Sequence, residues 1–216
     1  MEDELVRAMA NLDEEKTLAL VTERIKAGTS ALEIVEKCKR GVEIVGKRYS
    51  EGVYYLSDLI MSEEIFRGVI EIIEPYFPKD VAENGISIVM GTIEGDIHDL
   101  GKNIVIYFLR STGFRVYDLG VDVPPEKFVV TLNQTGSRVL GICVLLTFCI
   151  GSIKKVVKLL EEAGMRDRVK VVIGGYPVNQ QVKDYTGADY YANDLVKAME
   201  IFRGIASELG ARAVVG

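Results

Sequence analysis

A single imidazole, His98, is all that 216 residues provide. It lies in the run GTIEGDIHDLGKNIV, residues 91–105, with Asp96 two positions before it, Asp99 directly after it and glycines at 95 and 101. A carboxylate two residues from an imidazole on a loop can accept its Nδ1 proton and leave Nε2 free to bind a metal. From position alone, a surface-loop histidine beside two acids accounts for the same residues equally well. One histidine excludes a zinc site of several imidazoles, a His-based dyad repeated across domains and a haem with two His ligands. The glycines at 91, 95 and 101 also miss the G-x-G-x-x-G spacing of a phosphate-binding loop.

Two other stretches collect small residues. Gly141-Ile142-Cys143-Val144-Leu145-Leu146-Thr147 closes one apolar run, and Gly174-Gly175-Tyr176-Pro177 closes another. Glycines at such ends let a ligand approach the backbone closely, although Gly174 and Gly175 taken alone read first as a tight turn. The three cysteines, Cys38, Cys143 and Cys149, are odd in number and lack CxxC spacing. That pattern argues against a disulfide framework or a thiolate metal site and fits a reducing cytoplasm.

Holding these groups together needs two kinds of scaffold. Residues 3–10, 12–27, 30–45 and about 56–73 carry apolar positions at helical spacing; Ser30 and Glu33 form a capping-box pair, and Pro75 and Pro78 stop the last helix. Four antiparallel helices of this kind predict a small bundle. Beyond Pro78, β-rich runs at 86–90, 115–119, 139–146, 170–173 and 189–191 alternate with amphipathic segments at 102–111, 125–134, 152–163, 178–185 and 194–209. Continuous apolar strands such as VLGICVLL imply burial on both faces, hence a parallel sheet between helix layers. The expected fold class is α + α/β: a four-helix bundle over residues 1–80, then a flavodoxin-like (Rossmann-like) five-stranded parallel sheet, order 2-1-3-4-5, over 81–216. A linker is expected within 74–85. Ligands of such sheets sit beyond the carboxyl ends of the strands, which is where the stretches above fall.

Composition sets outer bounds. A hydrophobic content of 48% is ample for a core, and a net charge of −6, from 26 basic and 32 acidic side chains, speaks against a nucleic-acid surface. The acidic start MEDELVRAMA has no signal-peptide pattern, and no apolar run approaches roughly 18 residues. Neither export nor a membrane span is expected, and the cytoplasm is the expected location.

The motifs taken in order resemble one family. Asp96-Ile97-His98-Asp99-Leu100-Gly101 matches the D-x-H-x-x-G motif of cobalamin-binding domains, GICVLLTF is similar to that family's GLSALLTT, and GGYPV to its GGAPV. Residues 54–61, YYLSDLIM, resemble the Y-F-L-P-E-L-L-M stretch of the family's helical cap. The likeness runs from about residue 12 to 209, and the ordered set is specific where D-x-H-x-x-G alone is weak. The chain thus resembles a stand-alone corrinoid protein of methyltransferase systems, related to the cobalamin-binding module of methionine synthase.

That resemblance implies a cobalamin or related corrinoid bound base-off, with His98 as the lower axial ligand of cobalt. Asp96 would hydrogen-bond that imidazole and tune its release, while Gly101 lets the chain pass close to the corrin; Gly95, Ile97 and Asp99 complete the loop. The displaced nucleotide tail would enter a slot lined by Cys143, Leu145, Thr147, Gly174 and Gly175, with Tyr191 and Ala192 beside them. The bundle would cover the methyl-bearing face through Tyr54, Tyr55, Leu56 and Met61, for each of which bundle core is an equal reading, and would swing about the 74–85 linker. Five positions depart from the family pattern: Cys143 replaces a Ser and weakens a hydrogen bond to the tail, Tyr176 replaces a small residue near the slot, and Ser57 and Asp58 replace Pro and Glu. Val53 also stands for a common polar residue.

The implied role is a methyl carrier rather than a complete enzyme. Its partners would be a substrate-specific methyltransferase for methylamine, methanol or methoxyaromatic donors, a second methyltransferase using tetrahydrofolate or a thiol, and a reductive activator. Two other classes compete: a corrinoid-dependent sensor, which calls for a DNA-binding module and a basic face, and a flavodoxin-like nucleotide or flavin binder.

Overall fold

The computed structural model describes residues 3–76 and 85–210, in a chain that divides into two units, Met1–Pro78 and Lys79–Gly216. In the first unit the described helices are α1 (Glu4–Ala10), α2 (Glu14–Lys26), α3 (Ala31–Ser50) and α4 (Leu56–Ile73). Short polar side chains start three of them: Asp3 accepts from the Leu5 N–H, Asp13 from Lys16 and Ser30 from Glu33, each satisfying a donor that the first turn leaves open. α1 and α4 both pack on α3, and α2 packs on α4. The α1–α3 contact is close because position 41 is glycine; a Cβ there would lie 2.6 Å from Met9 Cγ. Leu5, Met9, Ile34, Val45, Ile65 and Ile73 are fully buried between the helices.

After Ile73 the chain makes one 3₁₀ turn, Glu74–Tyr76. Residues 77–84, the greater part of the expected linker, lie outside the described residues.

The second unit alternates strand and helix: β1 (Ser87–Thr92), α5 (Leu100–Ser111), β2 (Arg115–Asp118), α6 (Pro125–Thr135), β3 (Val139–Cys143), α7 (Ile150–Glu162), β4 (Lys170–Gly174), α8 (Gln180–Thr186), β5 (Tyr190–Ala192) and α9 (Leu195–Glu208). The strands pair in parallel in the order β2-β1-β3-β4-β5, the order expected for a doubly wound sheet. Strand alternation divides the side chains between two covered faces. Val89, Leu140, Ile142, Val171 and Ile173 join Phe128, Leu132, Val156 and Val157 in one cluster under α6 and α7. The alternate row, Met90, Gly141 and Val172, is in register on the other face, where a Cβ on Gly141 would meet Met90 Cε at 2.6 Å and Phe202 of α9 at 3.5 Å.

Two boundaries differ from the sequence reading in ways that shape the site. β3 stops at Cys143 rather than 146: Val144 N–H still bonds Gly174 O, but the next two N–H groups turn to a carboxylate from another loop. α5 begins at Leu100 rather than 102, so Gly101 lies in its first turn and not in the loop.

Candidate functional site

The carboxyl end of β1 leads into residues 93–99, whose central carboxylate is anchored from outside the loop. Asp96 is 0% exposed. Its Oδ2 accepts the Leu145 N–H at 2.6 Å and the Leu146 N–H at 2.9 Å, while Oδ1 faces His98 Nδ1 at 2.7 Å and accepts the His98 backbone N–H at 3.1 Å. A carboxylate only accepts, so Nδ1 carries the proton and Nε2 keeps its lone pair. Burial pushes the Asp96 carboxyl up, but the hydrogen bonds from Leu145, Leu146 and His98 outweigh it and set its pKa below the ordinary carboxylate value. The His98 side chain remains 40% exposed, with its carbonyl fixed by the hydroxyl of the buried Thr92 at 2.9 Å. A buried anion thus orients an accessible imidazole, the arrangement that outer groups give to a metal-binding histidine.

The β2–α6 connection braces the same loop. Glu94 N–H donates to Val123 O, Val123 N–H to Thr92 O and Asp122 N–H to Asp96 O at 3.0 Å, while the Asp122 carboxylate accepts the Gly95 N–H at 2.7 Å. Gly95 is required here: its φ is +85°, and a Cβ would approach Cys149 Sγ to 3.1 Å. At the far end of the loop Asp99 starts α5 and accepts from Asn103, whose Oδ1 meets the buried Lys102 ammonium. That ammonium also bonds both oxygens of Asp118, at 2.8 and 2.9 Å.

Register brings part of the predicted slot lining together. Thr92, Cys143, Gly174 and Ala192 are successive partners across β1, β3, β4 and β5, a row of small side chains on the α5–α9 face at the sheet's carboxyl edge. Cys143 and Gly174 are only half-buried although they lie on central strands, and a Cβ on Gly174 would meet nothing closer than Ala192 O at 3.6 Å. Burial pushes the Cys143 thiol up to about 12, so it lines this edge as a neutral group.

Other predicted members lie elsewhere. Tyr191 is one residue out of phase and packs against the α6–α7 cluster, where Lys197 stacks on its ring at 3.5 Å. Thr147 is exposed and lines an open cavity of about 490 Å³ with Phe148, Gln181 and Tyr185. Leu145 contributes its N–H to Asp96 and leaves its side chain exposed. Gly175 serves the backbone: at φ +129° its position would place a Cβ 1.8 Å from Val144 O. Tyr176 is exposed. Ile97 is exposed beside His98. In the helical unit, Tyr55, Leu56, Ile60 and Met61 are exposed at the start of α4. Tyr54 instead belongs to the bundle, its hydroxyl donating to Ala10 O at 3.1 Å beneath the Arg48 guanidinium.

Thr92, Lys102, Asn103, Asp118 and Asp122 were missed by sequence reasoning. Lys102 and Asn103 stand directly after the D-x-H-x-x-G motif, and that adjacency was the one available signal. Among the described residues no helix is long and apolar enough to cross a membrane.

A parallel sheet with a lone, carboxylate-held imidazole at its carboxyl edge, next to a row of small side chains, defines a cofactor-binding domain of the doubly wound class. Comparison with known proteins makes the class specific. The profile of the B12 binding domain matches residues 86–200, and a second B12 binding domain profile matches residues 1–74. The chain is 34% identical over 198 residues to a dimethylamine corrinoid protein of Methanosarcina barkeri, covering 91% of this chain and 92% of the relative. Its fold superposes on the M. barkeri monomethylamine corrinoid protein with a TM-score of 0.86 at 30% identity, over 94% of this chain and 97% of that one. It also matches a chain of the methanol:cobalamin methyltransferase complex from M. barkeri, with a TM-score of 0.55 at 28% identity over 99% and 83% of the two chains. The protein belongs to the B12-binding corrinoid proteins.

The residues present fit that cofactor. The His98 side chain is 40% exposed and its Nε2 has no partner among the described residues, and among those residues a Cβ built on Gly101, in the first turn after the loop, would meet nothing within 4 Å. The fold does not itself need a glycine there, whereas a large planar ligand lying close to the loop does.

Proposed function

We propose that this chain carries a methyl group on a bound corrinoid, with His98 as the ligand below the metal and Asp96 as the group that holds the imidazole in its ligating tautomer. A bound corrinoid would supply a cobalt that accepts and releases methyl groups. The protein's part is binding, orientation and proton control. The observation that carries the reading is the Asp96–His98 pair, 2.7 Å from Oδ1 to Nδ1, on an edge where Nε2 is free. Because Asp96 is anchored by the Leu145 and Leu146 N–H groups, movement of the imidazole's proton is tied to the end of β3. The small-residue row Cys143, Gly174 and Ala192 would receive the nucleotide tail of a corrinoid bound base-off. Gly95, Ile97, Asp99 and Gly101 form the loop side of the seat. The helical unit, residues 1–80, takes the cap role, and Tyr55, Leu56 and Met61 are its side chains assigned to the cofactor; residues 81–216 form the cobalamin-binding domain.

The named relatives serve dimethylamine and monomethylamine systems, and the methanol system holds its corrinoid chain in a complex with a methyltransferase. By likeness this chain receives its methyl group from a substrate-specific methyltransferase, with a methylamine as the favoured donor. It passes the group to a second methyltransferase using a thiol or tetrahydrofolate, and a reductive activator restores the metal. Three free cysteines suit a cytoplasmic setting for this work.

The test is to load the purified protein with hydroxocobalamin and with methylcobalamin and compare absorption spectra with those of His98→Ala. Wild type should bind and show an imidazole-ligated spectrum that His98→Ala lacks. Absence of corrinoid binding by wild type, or the same axial-ligand spectrum in both proteins, overturns the assignment.

A further inference from the structure

We propose that Asp122 is a positioning residue for His98: from the β2–α6 connection it sets the course of the 93–99 loop and so the direction in which Nε2 points. The inference rests on the reading of His98 as the metal ligand and adds a residue that acts through it. Asp122 is held at φ +51°, a left-handed conformation that costs a non-glycine residue roughly 1 kcal/mol. Strain of this kind persists where the surroundings over-determine it. Here the conformation aims two groups of one residue at two adjacent residues of the loop: the carboxylate takes the Gly95 N–H at 2.7 Å and the main-chain N–H gives to Asp96 O at 3.0 Å.

The grip falls on the loop's weakest joint. Gly95, at φ +85°, has the widest backbone freedom of any residue type and immediately precedes the carboxylate that orients His98. Leu145 and Leu146 hold Asp96 by its side chain only, and within the loop its N–H donates to Ile93 O at 3.1 Å; neither fixes the Asp96 carbonyl, the group that leads on to His98. Asp122 restrains this joint by holding the Gly95 N–H and the Asp96 carbonyl, in the peptide groups that bracket the two residues. Its own footing is firm, because Val123 pairs with Thr92 and Glu94 and is followed by Pro124 and Pro125.

Two substitutions separate positioning from folding. Asp122→Asn keeps an oxygen acceptor and tolerates the left-handed backbone; Asp122→Gly relieves the strain and deletes the acceptor. Because the protein has one imidazole, its ¹⁵N resonances report the His98 tautomer without assignment, in protein free of corrinoid. Asp122→Asn should match wild type in that spectrum and in hydroxocobalamin affinity. Asp122→Gly should keep a cooperative thermal transition, shift from the Nδ1-protonated form to a mixture of tautomers, and bind hydroxocobalamin about 10-fold more weakly. A wild-type tautomer and affinity in Asp122→Gly overturns the proposal, as does the loss of either property in Asp122→Asn. Unfolding of Asp122→Gly would make Asp122 a stability residue and overturns it too. Failure of wild type to bind any corrinoid would defeat the reading of His98, while the corrinoid-free spectra would still decide whether Asp122 sets its tautomer.

Discussion

Replacing Asp96 by Asn changes one carboxylate oxygen into an NH₂ group at a point where four N–H donors converge, from Leu145, Leu146, His98 N and His98 Nδ1. The amide has two orientations. With its NH₂ toward the β3 end, it would oppose two part-buried backbone donors, each left unsatisfied at a cost of about 1–3 kcal/mol. The other orientation therefore wins: the amide oxygen accepts from Leu145 and Leu146, and the NH₂ faces His98. Nδ1 must then accept, which moves the imidazole proton to Nε2 and removes the lone pair needed for a metal. Stability also falls. The two strand-end bonds change from charge-assisted, about 1.5–3 kcal/mol each, to neutral, about 1 kcal/mol each, and His98 N–H loses its acceptor, giving a total loss of roughly 2–4 kcal/mol. Two assays check the argument. The ¹⁵N spectrum of the lone imidazole should switch from the Nδ1-protonated to the Nε2-protonated tautomer, and corrinoid affinity should fall about 10- to 100-fold with loss of the imidazole-ligated spectrum. An Asp96→Asn protein that keeps the wild-type tautomer, or loses under 1 kcal/mol in denaturant titration, refutes the reasoning.

The site's glycines separate by what each is for. Gly101→Ala meets open space in an early helical turn, so it should leave the unloaded protein equally stable or about 0.5–1 kcal/mol more stable while weakening corrinoid binding; unchanged affinity would remove the close-approach role. Gly175→Ala puts a Cβ 1.8 Å from Val144 O at φ +129°, and should cost roughly 4 kcal/mol or more, seen as a collapse of the thermal midpoint even without cofactor. In the helical unit, burial alone would raise the Asp3 carboxyl, but Arg24, the Leu5 N–H and Lys37 hold it well below the usual carboxylate range. A pKa lowered by folding contributes stability above the unfolded value near 4, which disappears as pH falls through the folded value. Asp3→Asn should therefore cost about 1 kcal/mol at pH 7, and the gap from wild type should close as pH drops below about 4, measured by helical circular dichroism during thermal unfolding.

Much of the architecture was legible because it is written locally. Ser30 three residues before Glu33 starts α3 by a bond that spans those positions alone, and the apolar runs around Val89 and Ile142 had to be strands buried on both faces. The Asp96–His98 pair was legible for the same reason, since two residues separate acceptor from donor. The boundary at Cys143 was not, because the apolar run continues through Leu146 and nothing in it says that its last two N–H groups leave the sheet. Tyr191 packs on the α6–α7 face, one residue out of phase with the row that holds Ala192, and one residue in a strand exchanges one face for the other.

By itself, then, the sequence determined the order of elements, the single imidazole of the site and the carboxylate that orients it. These depend on periodicity and on residues a few positions apart. Tertiary structure alone decided what holds the carboxylate. Its anchors are main-chain N–H groups 49 and 50 residues away, and a backbone N–H carries no residue identity by which a sequence could announce it. It also decided the role of Asp122, whose grip on a glycine 27 residues earlier exists only because parallel pairing brings the loops after β1 and β2 side by side. Strand register, set by the burial of whole faces rather than by any local motif, turned a recognisable loop into a fixed one.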